Sequence, residues 1–145
     1  MNKNIDINIV LLNNDAKIPK KQHPSDIGYD IYSVNEYSIF PKKVTKIETG
    51  VSIELPENYA GFILPRSGLA AKHSITSINS PGLIDPGYTG ELIIPLINHS
   101  ENTYILKKGD RFAQLVIINV ENVSFNSVDV LNKTDRSNKG FGSTG

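Results

Sequence analysis

The sequence predicts an all-β fold: a single domain of short strands, arranged as a sandwich, jelly roll or barrel, with one short helix. Three observations carry this expectation. Nine short segments rich in Ile, Val, Tyr and Phe recur along the chain. Turn residues punctuate them at Pro24–Ser25, Pro41, Pro56, Pro81–Gly82, Pro86–Gly87 and Gly109–Asp110. The 145 residues are the length of one ordinary domain, and they contain no internal repeat and no linker.

Taken in order, Ile5–Leu12 alternates and then runs apolar, as a first strand does. Residues 13–26 (NNDAKIPKKQHPSD) are polar and read as a loop. Strands are expected next over Tyr29–Tyr32, Tyr37–Phe40, Val44–Ile47, Val51–Leu55 and Gly61–Leu64. Leu69–His73 is the one helical stretch, one or two turns long, with Ser67 as its N-cap. The remaining strands are expected over Glu91–Ile97, Tyr104–Leu106 and Phe112–Val120. From residue 132 onward (NKTDRSNKGFGSTG), fourteen residues contain one apolar side chain, Phe141. Such a segment buries too little to offset its ordering entropy, so a packed body over 1–131 and a flexible tail over 132–145 are expected.

Composition narrows the function classes. There is no cysteine, which removes disulfides, thiolate metal sites and cysteine nucleophiles. Fifteen basic and fifteen acidic side chains cancel, so no nucleic-acid partner is expected, although a local basic pocket is compatible with this balance. No apolar run approaches the ~18–20 residues of a membrane span. The start, MNKNIDINIV, has an early acid and no long apolar stretch, so a cytoplasmic protein without a membrane partner is expected. His23, His73 and His99 lie far apart, without the spacing of a zinc site. There is no Gly-x-Ser-x-Gly elbow, phosphate-loop motif or dinucleotide fingerprint.

The cations are unevenly chosen: twelve Lys and three Arg. Arg offers a planar fork of donors that fits phosphate, where Lys offers a point charge. Arg66, Arg111 and Arg136 each sit in a turn-like context (PRSG, GDRF, DRSN), which fits one polyanionic ligand. Pro65-Arg66-Ser67-Gly68-Leu69 ends a strand and opens the helix, a setting that favours an anion or serves simply as a capped helix with a surface Arg. In Gly82-Leu83-Ile84-Asp85-Pro86-Gly87-Tyr88, Asp85 is either a general base at a strand end or the first residue of a β-turn. Tyr88 is either a flat face toward a ligand or a core ring. In the tail, glycines flank Phe141, and Ser143 and Thr144 follow, a composition that suits a ligand clamp or a frayed end.

Together these segments resemble the trimeric dUTP pyrophosphatase (dUTPase) family. Five blocks match in order: Ile27–Ser33, Pro65–Ala70, Gly82–Glu91, Gly109–Leu115 and Arg136–Gly145. The resemblance implies a distorted jelly-roll or β-barrel homotrimer with active sites shared between subunits, hydrolysing dUTP to dUMP and pyrophosphate with Mg²⁺. It implies that Asp85 activates the attacking water and that Tyr88 packs on the deoxyribose and excludes a 2′-hydroxyl. Asn79 would hydrogen-bond uracil, with backbone groups of Leu83, Ile84 and Ile93 lining the same pocket. Arg66, Ser67, Gly68 and Gln114 would hold the phosphates, and Arg136, Phe141, Gly142 and Ser143 would close over the nucleotide. Asp30 would reach the metal only indirectly, through water, and Asp110–Arg111 would be structural. The chain departs from the family pattern at Ser74 and Ser137, where glycine is usual, at Lys139, and at the tight Pro86–Gly87 turn. The readings weighed against this one are a dCTP deaminase of the same fold and a non-catalytic β-sandwich regulatory module.

Overall fold

Short apolar runs separated by turns pair into two four-stranded antiparallel sheets and a two-stranded ribbon. The computed structural model describes residues 4–138 and Gly140. The strands are β1 (Asn8–Leu11), β2 (Tyr29–Tyr32), β3 (Tyr37–Ile39), β4 (Val44–Glu54), β5 (Tyr59–Pro65), β6 (Ile75–Ser77), β7 (Gly82–Ile84), β8 (Glu91–Asn98), β9 (Tyr104–Leu106) and β10 (Arg111–Asn119). The helix α1 spans Ser67–His73. One sheet runs β1-β4-β8-β6, the other β2-β10-β5-β7, and β3 pairs with β9. A single core draws on all three, through Ile47 and Leu96, Ile31 and Ala113, and Ile39 and Leu106. The all-β expectation with one short helix holds.

The differences in element boundaries have local causes. The first strand begins at Asn8 rather than Ile5. Val44–Ile47 and Val51–Leu55 are parts of one strand, β4. Its pairing to β8 passes from Glu48↔Ile93 to Ser52↔Glu91, so four residues of β4 advance against two of β8. An even insertion returns each side chain to its original face. Ile47, Thr49, Val51 and Ile53 therefore all point inward. Gly50 supports the irregularity at φ +65, a left-handed backbone without a Cβ penalty. The strand β7 is the strand end expected before Asp85, although no range was expected for it, and β6 was not expected: its three residues, Ile75–Ser77, carry only one large apolar side chain.

The helix starts earlier than expected, and Ser67 is not its cap. Arg66 occupies that position with extended backbone (φ −89, ψ 128) and makes no side-chain cap. Ser67 is the first helical residue. At the other end Ser74 stands in the left-handed region (φ 56, ψ 32) and donates its N–H to the Ala70 carbonyl at 3.0 Å. That is the conformation for which glycine is favoured, which explains why glycine is usual here; nothing in the structure explains the serine. Ser137 is also left-handed, at φ 46, and so falls under the same explanation.

A one-residue bulge in β10 positions the candidate site. Arg111 faces Tyr32, but the next pairing is Ala113↔Ile31. Phe112 is the extra residue, and both it and Ala113 are buried. An odd insertion reverses the alternation. It brings Arg111 onto the outward face that also carries Gln114 and its partner Asp30. Beyond Asn119 the described chain forms no further strand, and residues 121–138 are exposed.

Candidate active site

The strands β7 and β8 are consecutive but belong to different sheets. They diverge, and the six-residue connection between them carries Asp85 and Tyr88. β7 pairs only with β5 among the described residues. β8 pairs with β4 on one side, while β6 covers its other side only over Leu96–Asn98. The facing edges of Gly82–Ile84 and Leu92–Ile94 therefore present backbone N–H and C=O groups without ladder partners among the described residues. A pocket of about 210 Å³ occupies this wedge, lined by Asn79, Leu83, Ile84, Asp85, Tyr88 and Ile93, with Ile63 in its wall. Six of the residues expected in the site thus meet in one place.

The Asp85 alternatives prove compatible. Asp85 starts a β-turn, closed by the Tyr88 N–H donating to its carbonyl at 3.0 Å. Gly87 is not at positive φ, which excludes the type II form. The turn uses the backbone of Asp85 and leaves its exposed carboxylate lining the pocket. Tyr88 is not a core ring, being about half exposed at 48%. Its hydroxyl donates to the Glu91 carbonyl at 2.7 Å. The Asn79 side-chain oxygen accepts from the Ser77 hydroxyl at 2.9 Å, which orients the amide nitrogen.

Arg66, Gln114 and Asp30 form a second group on β2, β10 and the end of β5. Asp30 Oδ1 lies 3.2 Å from Arg66 Nε, and its Oδ2 lies 3.0 Å from an Arg111 terminal nitrogen. Arg66 also donates to the Arg111 carbonyl at 3.0 Å. One carboxylate therefore clasps two guanidiniums, with its side chain only 13% exposed. The structural role expected of Arg111 is accounted for by this clasp. The Gln114 amide donates to the Pro65 carbonyl at 3.0 Å. A Cβ on Gly28 would fall 2.1 Å from Gln114 Oε1, so Gly28 leaves the space that this side chain fills. Tyr104 adjoins the group, its ring 4.8 Å from that of His73. Burial, reinforced by Asp110, raises its pKa above the ordinary phenol value, and Arg66 opposes the shift.

Ser67 and Gly68 are exposed at the start of α1, beside Arg66. Arg66 and Gln114 do not line the β7–β8 pocket. Arg136 is exposed, and the Ser137 N–H that follows it donates to the Thr134 hydroxyl at 3.0 Å. Phe141, Gly142 and Ser143 lie outside the described residues. Among the described residues, no group of three or more His, Cys, Asp or Glu side chains could hold a metal ion, and no helix is long and apolar enough to cross a membrane. The contributions of Gly28, which makes room for Gln114, and of the Glu91 carbonyl, which holds Tyr88, were missed by residue-level reading. Their only signal was membership of the matching blocks.

Comparison with known proteins agrees with this geometry. The dUTPase family model matches residues 14–145. The chain belongs to the dUTPase family. It is 47% identical to the deoxyuridine 5′-triphosphate nucleotidohydrolase of Clostridium tetani, over 96% of each chain. It is 48% identical to the protein of that name from Alkaliphilus metalliredigens, again over 96% of each. Among solved structures, a mutant dUTPase of Staphylococcus bacteriophage 80alpha with dUpNHpp superposes with a TM-score of 0.90 at 29% identity, covering 97% of this chain and 98% of that one. A mutant dUTPase from phage phi11 of S. aureus, described with a structural Mg(II) ion, gives a TM-score of 0.83 at 27% identity, covering 89% and 100%. Asp85, Tyr88, Leu83 and Ile84 of the wedge belong to the third dUTPase block, with Asn79 and Ile93 flanking it, and the clasp belongs to the first, second and fourth.

Proposed function

We propose that the chain hydrolyses dUTP to dUMP and pyrophosphate, limiting uracil incorporation into DNA and supplying dUMP for dTMP synthesis. The observation that carries this reading is the wedge between β7 and β8, where backbone edges without ladder partners among the described residues, Asn79, Asp85 and Tyr88 converge. Uracil enters against these edges. The Ser77 hydroxyl occupies the Asn79 oxygen and leaves the amide N–H groups to donate to a base carbonyl. Cytosine would leave fixed donors and acceptors unpaired, which is costly in a dry pocket. The Tyr88 ring packs on the deoxyribose and leaves no room for a 2′-hydroxyl.

Asp85 accepts a proton from water as that water bonds to the α-phosphorus. The bond from the α-phosphorus to the bridging oxygen breaks, and pyrophosphate leaves. Arg66, Ser67, Gly68 and Gln114 hold the phosphates, and Arg136, Phe141, Gly142 and Ser143 close over the nucleotide. Asp30 and the Arg111 carbonyl restrict Arg66, whose remaining guanidinium donors are the ones assigned to the anion.

The donor set fits a magnesium ion carried on the triphosphate rather than one in a protein cage. Both Asp30 oxygens are engaged by guanidiniums, so Asp30 approaches such an ion only through water. Such an ion, when bound with the nucleotide, would supply charge neutralisation to the phosphates that Arg66, Ser67, Gly68 and Gln114 hold.

The assembly proposed is a homotrimer with shared sites. Two observations support it. The phosphate-holding group lies outside the base pocket of its own chain. The outward face of the second sheet is also apolar across the row Leu83–Phe62–Val116, and Leu83 is 59% exposed in the single chain. Val123, Phe125, Val130 and Leu131, beyond β10, are exposed as well. The test is pyrophosphate release from dUTP, with little release from UTP or dTTP. Ammonia release from dCTP would instead favour the deaminase reading, and no turnover of any nucleotide would favour the binding module.

A further inference from the structure

Gly90 is exposed and is not at positive φ, so its own backbone conformation does not require glycine. The requirement comes from Tyr88. A Cβ built on Gly90 would stand 2.8 Å from the Tyr88 hydroxyl oxygen, 2.9 Å from Cζ and 3.2 Å from Cε2. The outer half of the ring therefore rests on bare backbone. The base of the side chain is set by the Asp85–Tyr88 turn, and its tip by the hydrogen bond to the Glu91 carbonyl. Glu91 is anchored in turn, its Oε1 accepting the Gly50 N–H at 2.7 Å.

We propose that Gly90 is a positioning residue that determines sugar specificity: its missing Cβ lets the Tyr88 ring lie low enough to exclude a 2′-hydroxyl. This rests on the assignment of Tyr88 to the sugar. Gly90 does not touch the nucleotide; it acts through the ring. An added methyl meets the far end of an exposed side chain, which can yield without disturbing the core. Gly90→Ala should therefore change selection while leaving the fold intact. Gly61 is the contrasting case, since a Cβ there would meet the buried Ile84 and Leu115 side chains at 3.2 Å.

The test compares kcat/KM for dUTP and for UTP in the parent, Gly90→Ala, Tyr88→Ala and the double variant, with Tm measured for each. Gly90→Ala is expected to lower the dUTP/UTP ratio by about tenfold, the scale of one misplaced group in a pocket, with little change in Tm. Tyr88→Ala should lower the ratio at least as far, and adding Gly90→Ala to it should lower it no further. Tyr88→Phe keeps the ring but frees its tip, and should lower the ratio less. If Tyr88→Ala lowers the ratio and Gly90→Ala does not, Gly90 is not the seat. If Gly90→Ala has the same effect whether or not residue 88 is tyrosine, it acts through the backbone and the proposal fails. A ratio unmoved by Tyr88→Ala would instead overturn the assignment of Tyr88 on which the proposal rests.

Discussion

In the wedge between β7 and β8, strand edges lack ladder partners among the described residues, and Asp85 presents an exposed carboxylate. On β2 and β10, Asp30 holds two guanidiniums, and Gln114 is tied to the Pro65 carbonyl. The first region is built by withholding partners and the second by supplying them. The difference fits the roles proposed for the two regions. A base is read by hydrogen-bonding groups that must be unpaired before it arrives, and a general base must be free to take a proton. A flexible Arg, by contrast, serves a polyphosphate best when its rotamers are already restricted.

The comparison breaks most sharply at Asp85. Asp85→Asn keeps the shape but cannot accept the proton, so kcat should fall by ~10²–10⁴-fold while KM changes little. Steady-state turnover with dUTP checks this, and near-parent kcat would refute the assignment. In the second region, Asp30→Asn should act on binding. Replacing the carboxylate weakens charge-assisted bonds to both guanidiniums, so KM for dUTP should rise by about tenfold and Tm should drop. The dUTP/UTP ratio should stay as in the parent, because the sugar is read elsewhere; a collapsed ratio would merge the two regions.

Gly28→Ala sharpens the same contrast with a smaller effect. The new Cβ displaces the Gln114 amide from Pro65, and KM should rise about threefold to tenfold, as for a lost hydrogen bond. An unchanged KM would remove Gln114 from phosphate binding. The smallest effect is expected outside both regions. Ser74→Gly relieves a left-handed non-glycine residue at the end of α1. It should add up to about 1 kcal/mol of stability, or roughly 2–4 °C in Tm, without altering kinetics.

The wedge was legible because its chemistry is local. Asp85, Tyr88 and their turn lie within one ten-residue block, and the Pro86–Gly87 pair marks the bend. The clasp was less so. Scarcity singled out Arg66 and Arg111, but not that both would reach Asp30, 81 residues from Arg111. That meeting depends on the bulge at Phe112, which no alternation pattern announces. Ser67 is helical rather than the cap because the chain leaves extended backbone at Arg66, one residue earlier than the small polar residue suggested. Ser74 and Ser137 stood out as departures from a pattern, but only their φ angles explain why glycine is usual there.

In the proposed shared-site trimer, the wedge of one chain is completed by the clasp of another. Subunit exchange tests it directly. Asp85→Asn chains and Arg66→Ala chains, each nearly inactive, are refolded together in equal amounts, and mixed trimers are verified by mass. If each site takes Asp85 from one subunit and Arg66 from its neighbour, random assembly of a closed cyclic trimer gives about one quarter of the sites both groups intact. Roughly that fraction of parent dUTP turnover should appear on mixing. If Asp85 and Arg66 of the same chain act together, no mixed trimer gains a complete site, and activity that stays at the level of the separate variants would contradict the account.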